Sequence, residues 1–404
     1  MNRRSKVDVG ICFKNLHRIL PHPWVWTKLA ALQSDKWFFS LQRGTGSNGL
    51  GGKIRQVSFR ITDLCNLRCT TCGQWGESGF LRTKDPKMLR KEEVPPGRYV
   101  ELLEDLVQQK HRPTVYIWGG EPMLYGGTLE LIESSSKLGL PVAIATNGSR
   151  VSHVAERLVG APLFLLQVSI DGHCASLHNR IRPSAGEGNN FAEIESALHA
   201  VRDVRRVSGR SLPLIVALTV ISRENVQHLL DIYDTFHQRV DLFVFYLSWW
   251  IDDESAVNHE RDFRRRFGFE PKLHRGWLGS WRPDDFAALD LQLRELKARS
   301  LSWDCTPVMI MPEIMGIESL QCYYTEHEET FGYNQCVSIF HAVEIDSNGN
   351  LSPCRDYHDY VVGNVKSSTI TELWNSDAYR RFRQSIAQDG LMPVCTRCCG
   401  LMGY

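Results

Sequence analysis

The chain has 404 residues, 43% hydrophobic and 23% charged, enough apolar material for a buried core and enough length for about two domains. Lys and Arg number 47 against 46 Asp and Glu, a formal charge of +1, so no global field draws it to nucleic acid or to an anionic membrane. No apolar run approaches the roughly 20 residues that span a bilayer, and MNRRSKVDVG lacks the apolar stretch and small-residue cleavage site of a secretory signal.

Residues 1–52 carry a basic and aromatic segment, with Trp24, Trp26, Trp37, Phe38 and Phe39 among Lys14, Arg18, Lys28, Lys36 and Arg43. It is expected to form a helix packed on the domain that follows; a membrane-surface helix is the other reading of that mixture. Residues 43–53, RGTGSNGLGGK, formally match GxGxxG. A dinucleotide site needs a strand before that run and a helix after it, whereas here a strand follows, so the stretch is expected to be a flexible linker.

From 53 to about 250, apolar runs alternate with helical patterns. Strands are predicted at 55–62, 114–118, 141–146, 163–170, 213–221 and 241–247, with helices near 97–110, 127–138, 151–159, 191–204 and 224–238. Val100, Leu103, Leu106 and Val107 would face the core from the first of these helices, and Val226, Leu229, Leu230 and Tyr233 from the last. Six β/α repeats with strands rich in Val, Ile and Leu predict an α/β fold, a partial (β/α)6 TIM-like barrel built on a parallel sheet.

Barrels of this kind place their chemistry at the C-terminal ends of the strands. After the first strand, ITDLCNLRCTTCGQWG sets Cys65, Cys69 and Cys72 within eight residues. Three thiolates on a cubane [4Fe–4S] cluster leave the fourth iron open to a small ligand. Half of a zinc site is an alternative, although a structural zinc takes four ligands. After the second strand comes Gly119-Gly120-Glu121-Pro122, after the third Asn147-Gly148-Ser149, and on the fourth lie Ser169 and Asp171-Gly172. Carbonyls of the glycines, with Glu121, suit a ligand ammonium.

The C-x3-C-x2-C spacing followed one β/α unit later by GGEP resembles the radical S-adenosylmethionine (radical SAM) superfamily. The resemblance implies that SAM chelates the open iron and is cleaved by an electron from the cluster to a 5′-deoxyadenosyl radical. It further implies that Gly119, Gly120 and Glu121 hold the SAM amino group. Ser169 is placed to meet the ribose, Asn147 lies at the same site, and Arg182 or Arg180 is placed to reach the carboxylate through a guanidinium fork. The family carries a bulky residue before the third cysteine; here it is Thr71, and Trp75 is the nearby aromatic able to replace it against the adenine.

Residues 251–316 leave the barrel pattern and form a bridge. Trp249 and Trp250 are expected at the barrel mouth, and a helix near 284–298 would bury Phe286, Leu289, Leu293 and Leu296 with Asp284 as its N-cap. From 317 to 404 lies a small α+β region, and five of the chain's twelve cysteines cluster within it from Cys336 to Cys399. Cys336 and Cys354 flank two short strands joined by an Asn-Gly turn, and Cys395 and Cys398 form a C-x2-C pair. By spacing alone four such ligands also suit zinc.

The run C-x12-G-x4-C at Cys336, Gly349 and Cys354 resembles the SPASM and twitch extensions of radical SAM enzymes, which implies an auxiliary [4Fe–4S] cluster. The chain ends five residues after Cys399, and one auxiliary cluster is expected, with Cys399 or Cys322 as substitute ligands. Cys12, Cys174, Cys305 and Cys322 stand apart in the sequence, and the plain reading of each is a small buried hydrophobe.

The function so implied is hydrogen abstraction from a peptide or small-molecule substrate, with the auxiliary cluster passing electrons in an oxidation, cross-linking or epimerisation. Its expected partners are an electron donor such as flavodoxin or ferredoxin and no nucleic acid, in the reducing cytoplasm that free thiols need. The residues alone leave open a different class, a non-enzymatic zinc- or iron–sulfur-binding scaffold.

Overall fold

In a computed structural model of the chain, residues 48–402 are described, apart from positions 162 and 303. The aromatic N-terminal segment and most of the GxGxxG stretch lie outside the described residues. Ten strands form one sheet in the order β10-β9-β8-β1-β2-β3-β4-β5-β6-β7. Six parallel strands are those expected: β1 (Gln56–Thr62), β2 (Thr114–Gly119), β3 (Val142–Thr146), β4 (Leu163–Ser169), β5 (Leu214–Val220) and β6 (Leu242–Tyr246). Runs such as LIVALTV in β5 are apolar on both faces because helices cover one face while the other packs within the curl.

The connections carry α1 (Pro86–Glu92), α2 (Pro96–Gln108), α3 (Thr128–Lys137), α4 (Ala155–Gly160), α5 (Ala175–Ile181), α6 (Asn190–Ser208), α7 (Leu229–Phe236), α8 (Asp253–Phe267) and α9 (Phe286–Ser300). In α2 the buried stripe is Tyr99, Leu102, Leu103 and Leu106, turned toward the N-terminus from the predicted Val100 and Val107. Helix α7 begins at Leu229 rather than near 224, because Asn225 accepts the Ser222 amide through its side chain and forms a turn there. The cap of α9 is Asp285, whose carboxylate accepts the Ala288 amide at 2.9 Å, so Asp284 does not cap it.

Two strands extend the barrel at its edges. β7 (Val308–Met311) pairs parallel with β6; four residues between Pro307 and Pro312 are too short to stand out by periodicity. β8 (Ala342–Ile345) pairs parallel with β1, from Gln56 opposite Ala342 to Phe59 opposite Ile345. β9 (Asn350–Ser352) turns back antiparallel to β8, and β10 (Gly363–Asn364) completes the meander. The Asn-Gly turn is present: Gly349 takes φ +87° and donates to the Asp346 carbonyl, while the Asp346 carboxylate accepts the Asn348 and Asn350 amides.

The rest comprises α10 (Ile317–Thr325), α11 (Ile370–Trp374), α12 (Asp377–Asp389) and α13 (Cys399–Met402). Composition divides the chain at 250 and 316, yet the sheet crosses both divisions and one apolar cluster runs from Ile54 to Met402. Arg383 of α12 is fully buried, stacked on Trp374 and Tyr379 and donating to the carbonyls of Ile339, Gly49 and Trp374. No helix among the described residues is long and apolar enough to cross a membrane.

Candidate active site

The cysteine loop leaves β1 and is laced to its surroundings by backbone bonds. Gly120 donates to the Thr62 carbonyl at 2.8 Å and Glu121 to that of Leu64 at 2.7 Å. On the far side, Arg68 donates to Pro183 and Thr70 to Ile181, and Leu67 bridges antiparallel to Ser184. Leu67 N–H points at the Cys65 sulfur and those of Gln74 and Trp75 at Cys72, each at 3.4 Å, while Arg182 reaches the Cys69 sulfur at 3.6 Å. Donors aimed at sulfur favour thiolates.

Burial, aided by mutual repulsion of the three sulfurs, pushes the thiol of Cys65 up to about 12. Burial likewise pushes Cys69 up to about 11, against the pull of Arg182. Buried thiols that raise one another become thiolates together when a bound cation neutralises them, which is the donor set an iron–sulfur cluster requires. Among the described residues, no three cysteine sulfurs lie within 4.8 Å of one another. Thiolates sharing one zinc, with bonds of about 2.3 Å, sit roughly 3.8 Å apart. The three sulfurs are therefore not gathered as closely as ligands of a single zinc ion.

The glycines of the GGEP turn are required by this lacing. A Cβ on Gly119, at φ +142°, would lie 2.4 Å from the Thr62 carbonyl oxygen, and one on Gly120 would lie 2.1 Å from that of Leu64. Glu121 departs from its expected role as a direct ligand of the ammonium. Its fully buried carboxylate accepts from Asn147 N–H at 2.7 Å, Thr146 Oγ1 at 2.7 Å and Met123 N–H at 2.9 Å. It braces the ends of β2 and β3 beneath the loop, and burial pushes its carboxyl up to about 7 against those three donors.

Asn147 is engaged the same way: its side-chain amide donates to Asn66 Oδ1 at 2.9 Å and its Oδ1 accepts from Ser149. It holds the residue after Cys65 rather than facing open space. Ser169 is half-buried at the end of β4, on the strand face of Gln167, opposite the row Leu166, Val168 and Ile170 that is wholly buried. Arg182 also departs from expectation, since its fork is taken by Asp171 at 2.6 Å and by the Cys69 sulfur. Burial opposes its charge, yet Asp171 and Cys69 hold its pKa above the ordinary value. Arg180 is exposed on α5.

Trp75 does not take the place of the missing aromatic at Thr71. Its indole N–H donates to the Asp63 carbonyl at 2.7 Å, Arg68 covers its ring at 4.1 Å, and it is buried with Leu64, Leu81 and Leu89. A cleft of about 430 Å³ opens instead beside the cysteine loop, between Thr71 and Cys72 on one side and Val220, Ser222, Trp249 and Trp277 on the other. Trp249 and Trp250 line it as expected.

Trp277 escaped the sequence reading, because the run HRGWLGSW has no period that reveals what it packs on. Its ring lies so close to Gly73 that a Cβ there would meet it at 2.6 Å. Its Nε1 donates to the Asp356 carbonyl at 3.1 Å.

The second set converges beneath the C-terminal hairpin. Cys336 precedes β8, Cys354 follows β9, and Cys395 sits in the helical turn Pro393–Arg397 just before Cys398. Burial raises each thiol, and Cys354 is raised further by Cys395 and Cys336, Cys395 by Cys336, and Cys398 by Asp356 and Cys399 and then by Cys395 and Cys354. The four therefore share one neighbourhood. Cys399 hydrogen-bonds through sulfur and amide to the Asp356 carboxylate. Cys322 lies on α10, where burial and then Glu329 and Glu326 raise it and no cysteine contributes. Arg355, next to Cys354, reaches the barrel interior, lying over Tyr116 at 4.8 Å and pairing with Glu344 at 3.2 Å.

Residues 59–236 match the radical SAM superfamily and residues 336–399 the SPASM iron–sulfur cluster-binding domain. The chain is 23% identical to an AdoMet-dependent heme synthase of Methanosarcina barkeri over 84% of this chain and 88% of that protein. It is 22% identical to a cysteine-type anaerobic sulfatase-maturating enzyme of Clostridium novyi over 80% and 79%. Its fold is similar to Streptococcus suis SuiB bound to the precursor peptide SuiA, at TM-score 0.58 and 14% identity over 83% of this chain and 68% of that one. A cysteine loop laced to GGEP at the C-terminal edge of a parallel barrel, with a second cysteine set around a hairpin whose strand β8 pairs with β1, places this enzyme, its [4Fe–4S] clusters and its SAM in the radical SAM superfamily, with a C-terminal SPASM domain.

Proposed function

We propose that the enzyme removes hydrogen from a peptide substrate in a net two-electron oxidation, with Cys65, Cys69 and Cys72 holding the SAM cluster and Cys336, Cys354, Cys395 and Cys398 the auxiliary one. When bound, the first cluster with SAM supplies hydrogen-atom abstraction and the second supplies a one-electron acceptor. The remaining work falls to the chain's own residues.

The carrying observation is the place of Trp277, in contact with Gly73 beside Cys72 and bonded to Asp356 beside Cys354. A side chain seated against Trp277 and Trp249 would be held between the two cysteine loops, with the indoles displacing water from it. Glu77, Arg223 and Glu224 on the cleft wall offer partners for a peptide's polar groups. The sulfatase-maturating relative and the fold shared with a peptide-bound protein support a peptide over a small molecule. A donor of the flavodoxin or ferredoxin class and a reducing compartment complete the reading.

The test is anaerobic reconstitution with SAM, reductant and the short peptides encoded beside the gene, followed by mass spectrometry. The expected product has lost two hydrogens, and peptide deuterated at the reacting carbon passes deuterium to 5′-deoxyadenosine. Turnover of a non-peptide substrate, with every such peptide unchanged, would overturn the peptide assignment.

A further inference from the structure

We propose that His173, His228 and Asp231 form a binding site for a first-row divalent ion such as Zn²⁺, separate from both cysteine sets. One ligand atom from each residue lies within 4.8 Å of the others, and these three are the group of this kind found among the described residues. Both histidines are half-buried and Asp231 is exposed.

The three residues come from the loop after β4 and from the start of helix α7. His173 stands two residues after Asp171, beyond β4, while His228 is the N-cap residue of α7 and Asp231 lies in that helix's first turn. The rings of His173 and His228 are 5.1 Å apart, inclined at 45°. Two imidazoles bound to one zinc through bonds of about 2.0–2.1 Å place their centroids about 5 Å apart. His228 Nδ1 lies 2.9 Å from Asp231 Oδ2.

That His–Asp pair alone is an ordinary contact one helical turn long. The independent observation is His173 Nδ1, which is shut off from solvent and has no hydrogen-bond partner. A buried imidazole nitrogen without a partner costs desolvation energy that a metal bond would return. Two neutral imidazoles and one carboxylate make a donor set suited to Zn²⁺, Co²⁺ or Ni²⁺, with the carboxylate offsetting part of the ion's charge.

The ion would tie the β4 loop to the β5 loop, which are otherwise joined through Asp171 by its contacts to Asn225 and Val220. The β5 loop carries Ser222, Arg223 and Glu224 of the cleft wall, and Asp171 holds Arg182 against Cys69. A site here would fix the substrate rim without touching either cluster.

The test uses holoenzyme with both clusters installed and iron counted, so that no cysteine site is free to take zinc. After anaerobic equilibration with Zn²⁺ and desalting, wild type should retain about one zinc per chain at unchanged iron, as a folded three-ligand site would. His173→Ala and His228→Ala should each lose it, and Asp231→Asn should weaken it. Co²⁺ should give visible ligand-field bands in wild type that are missing in His173→Gln, a milder change that guards against misfolding. Zinc should raise the melting temperature of wild type and leave that of His173→Gln where it is. Equal zinc in wild type and all three variants, or none in wild type, would overturn the proposal.

Discussion

The indole Nε1 of Trp277 donates to the backbone carbonyl of Asp356 at 3.1 Å while its ring rests on Gly73, so one side chain joins the two cysteine loops. Trp277→Phe keeps the ring and removes the donor, at a stability cost of about 1 kcal/mol. Cluster iron should remain, while product formed per 5′-deoxyadenosine should fall because the cleft wall loses its tie to the loop of Cys354. Unchanged coupling in that variant, measured by mass spectrometry of peptide and nucleoside together, would return Trp277 to a packing role.

Changing Cys65, Cys69 or Cys72 to Ala should abolish 5′-deoxyadenosine formation and leave the second cluster's iron in place. The double variant Cys354→Ala/Cys398→Ala should lose about half the iron, given two cubanes, and still cleave SAM without substrate. Iron counting and the nucleoside assay read both results.

Gly120→Ala should act on the first cluster alone. Its Cβ would lie 2.1 Å from the Leu64 carbonyl oxygen, a backbone atom that cannot swing away, so the loop leading to Cys65 must shift. Reconstitution should recover the auxiliary iron and little of the rest. Full iron and wild-type SAM cleavage would show that the turn yields without moving the cysteines.

Glu121 sets a pH dependence of stability. Burial raises its folded pKa from 4.5 to about 7, so between those values the folded state holds more protons than the unfolded chain. Its contribution is full below the unfolded value and is lost as pH rises through about 7. In anaerobic melts, wild type should lose stability from pH 5 to 8 relative to Glu121→Gln. The variant should be less stable overall, since its amide N–H₂ must face a donor. Parallel pH profiles for the two proteins would place the titration elsewhere.

Arg383 is buried with its guanidinium distributed over the carbonyls of Ile339, Gly49 and Trp374 and the side chain of Asn375. Arg383→Ala strands those acceptors away from water at about 1–3 kcal/mol each, besides leaving a void against Trp374 and Tyr379. A large fall in melting temperature is expected. Arg383→Lys should recover part of it, because one ammonium cannot span the fork.

The sequence by itself determined what depends on near neighbours along the chain. Alternating runs of Val, Ile and Leu marked six strands, and the spacing of Cys65, Cys69 and Cys72 before Gly119-Gly120-Glu121 marked the chemistry, because a metal loop and a tight turn each lie within a few residues. The Asn348-Gly349 turn was legible for the same reason. Tertiary structure alone decided what rests on contacts far apart in sequence: β8 pairing with β1 across more than 280 positions, and Trp277 meeting both Gly73 and Asp356. It also decided what the polar and aromatic residues of the expected site bond to. Glu121, Asn147, Arg182 and Trp75 carry groups able to meet a cofactor, and each bonds to a partner within the folded chain. A buried polar group takes the nearest partner with good geometry, and which partner is nearest is fixed only when distant segments pack.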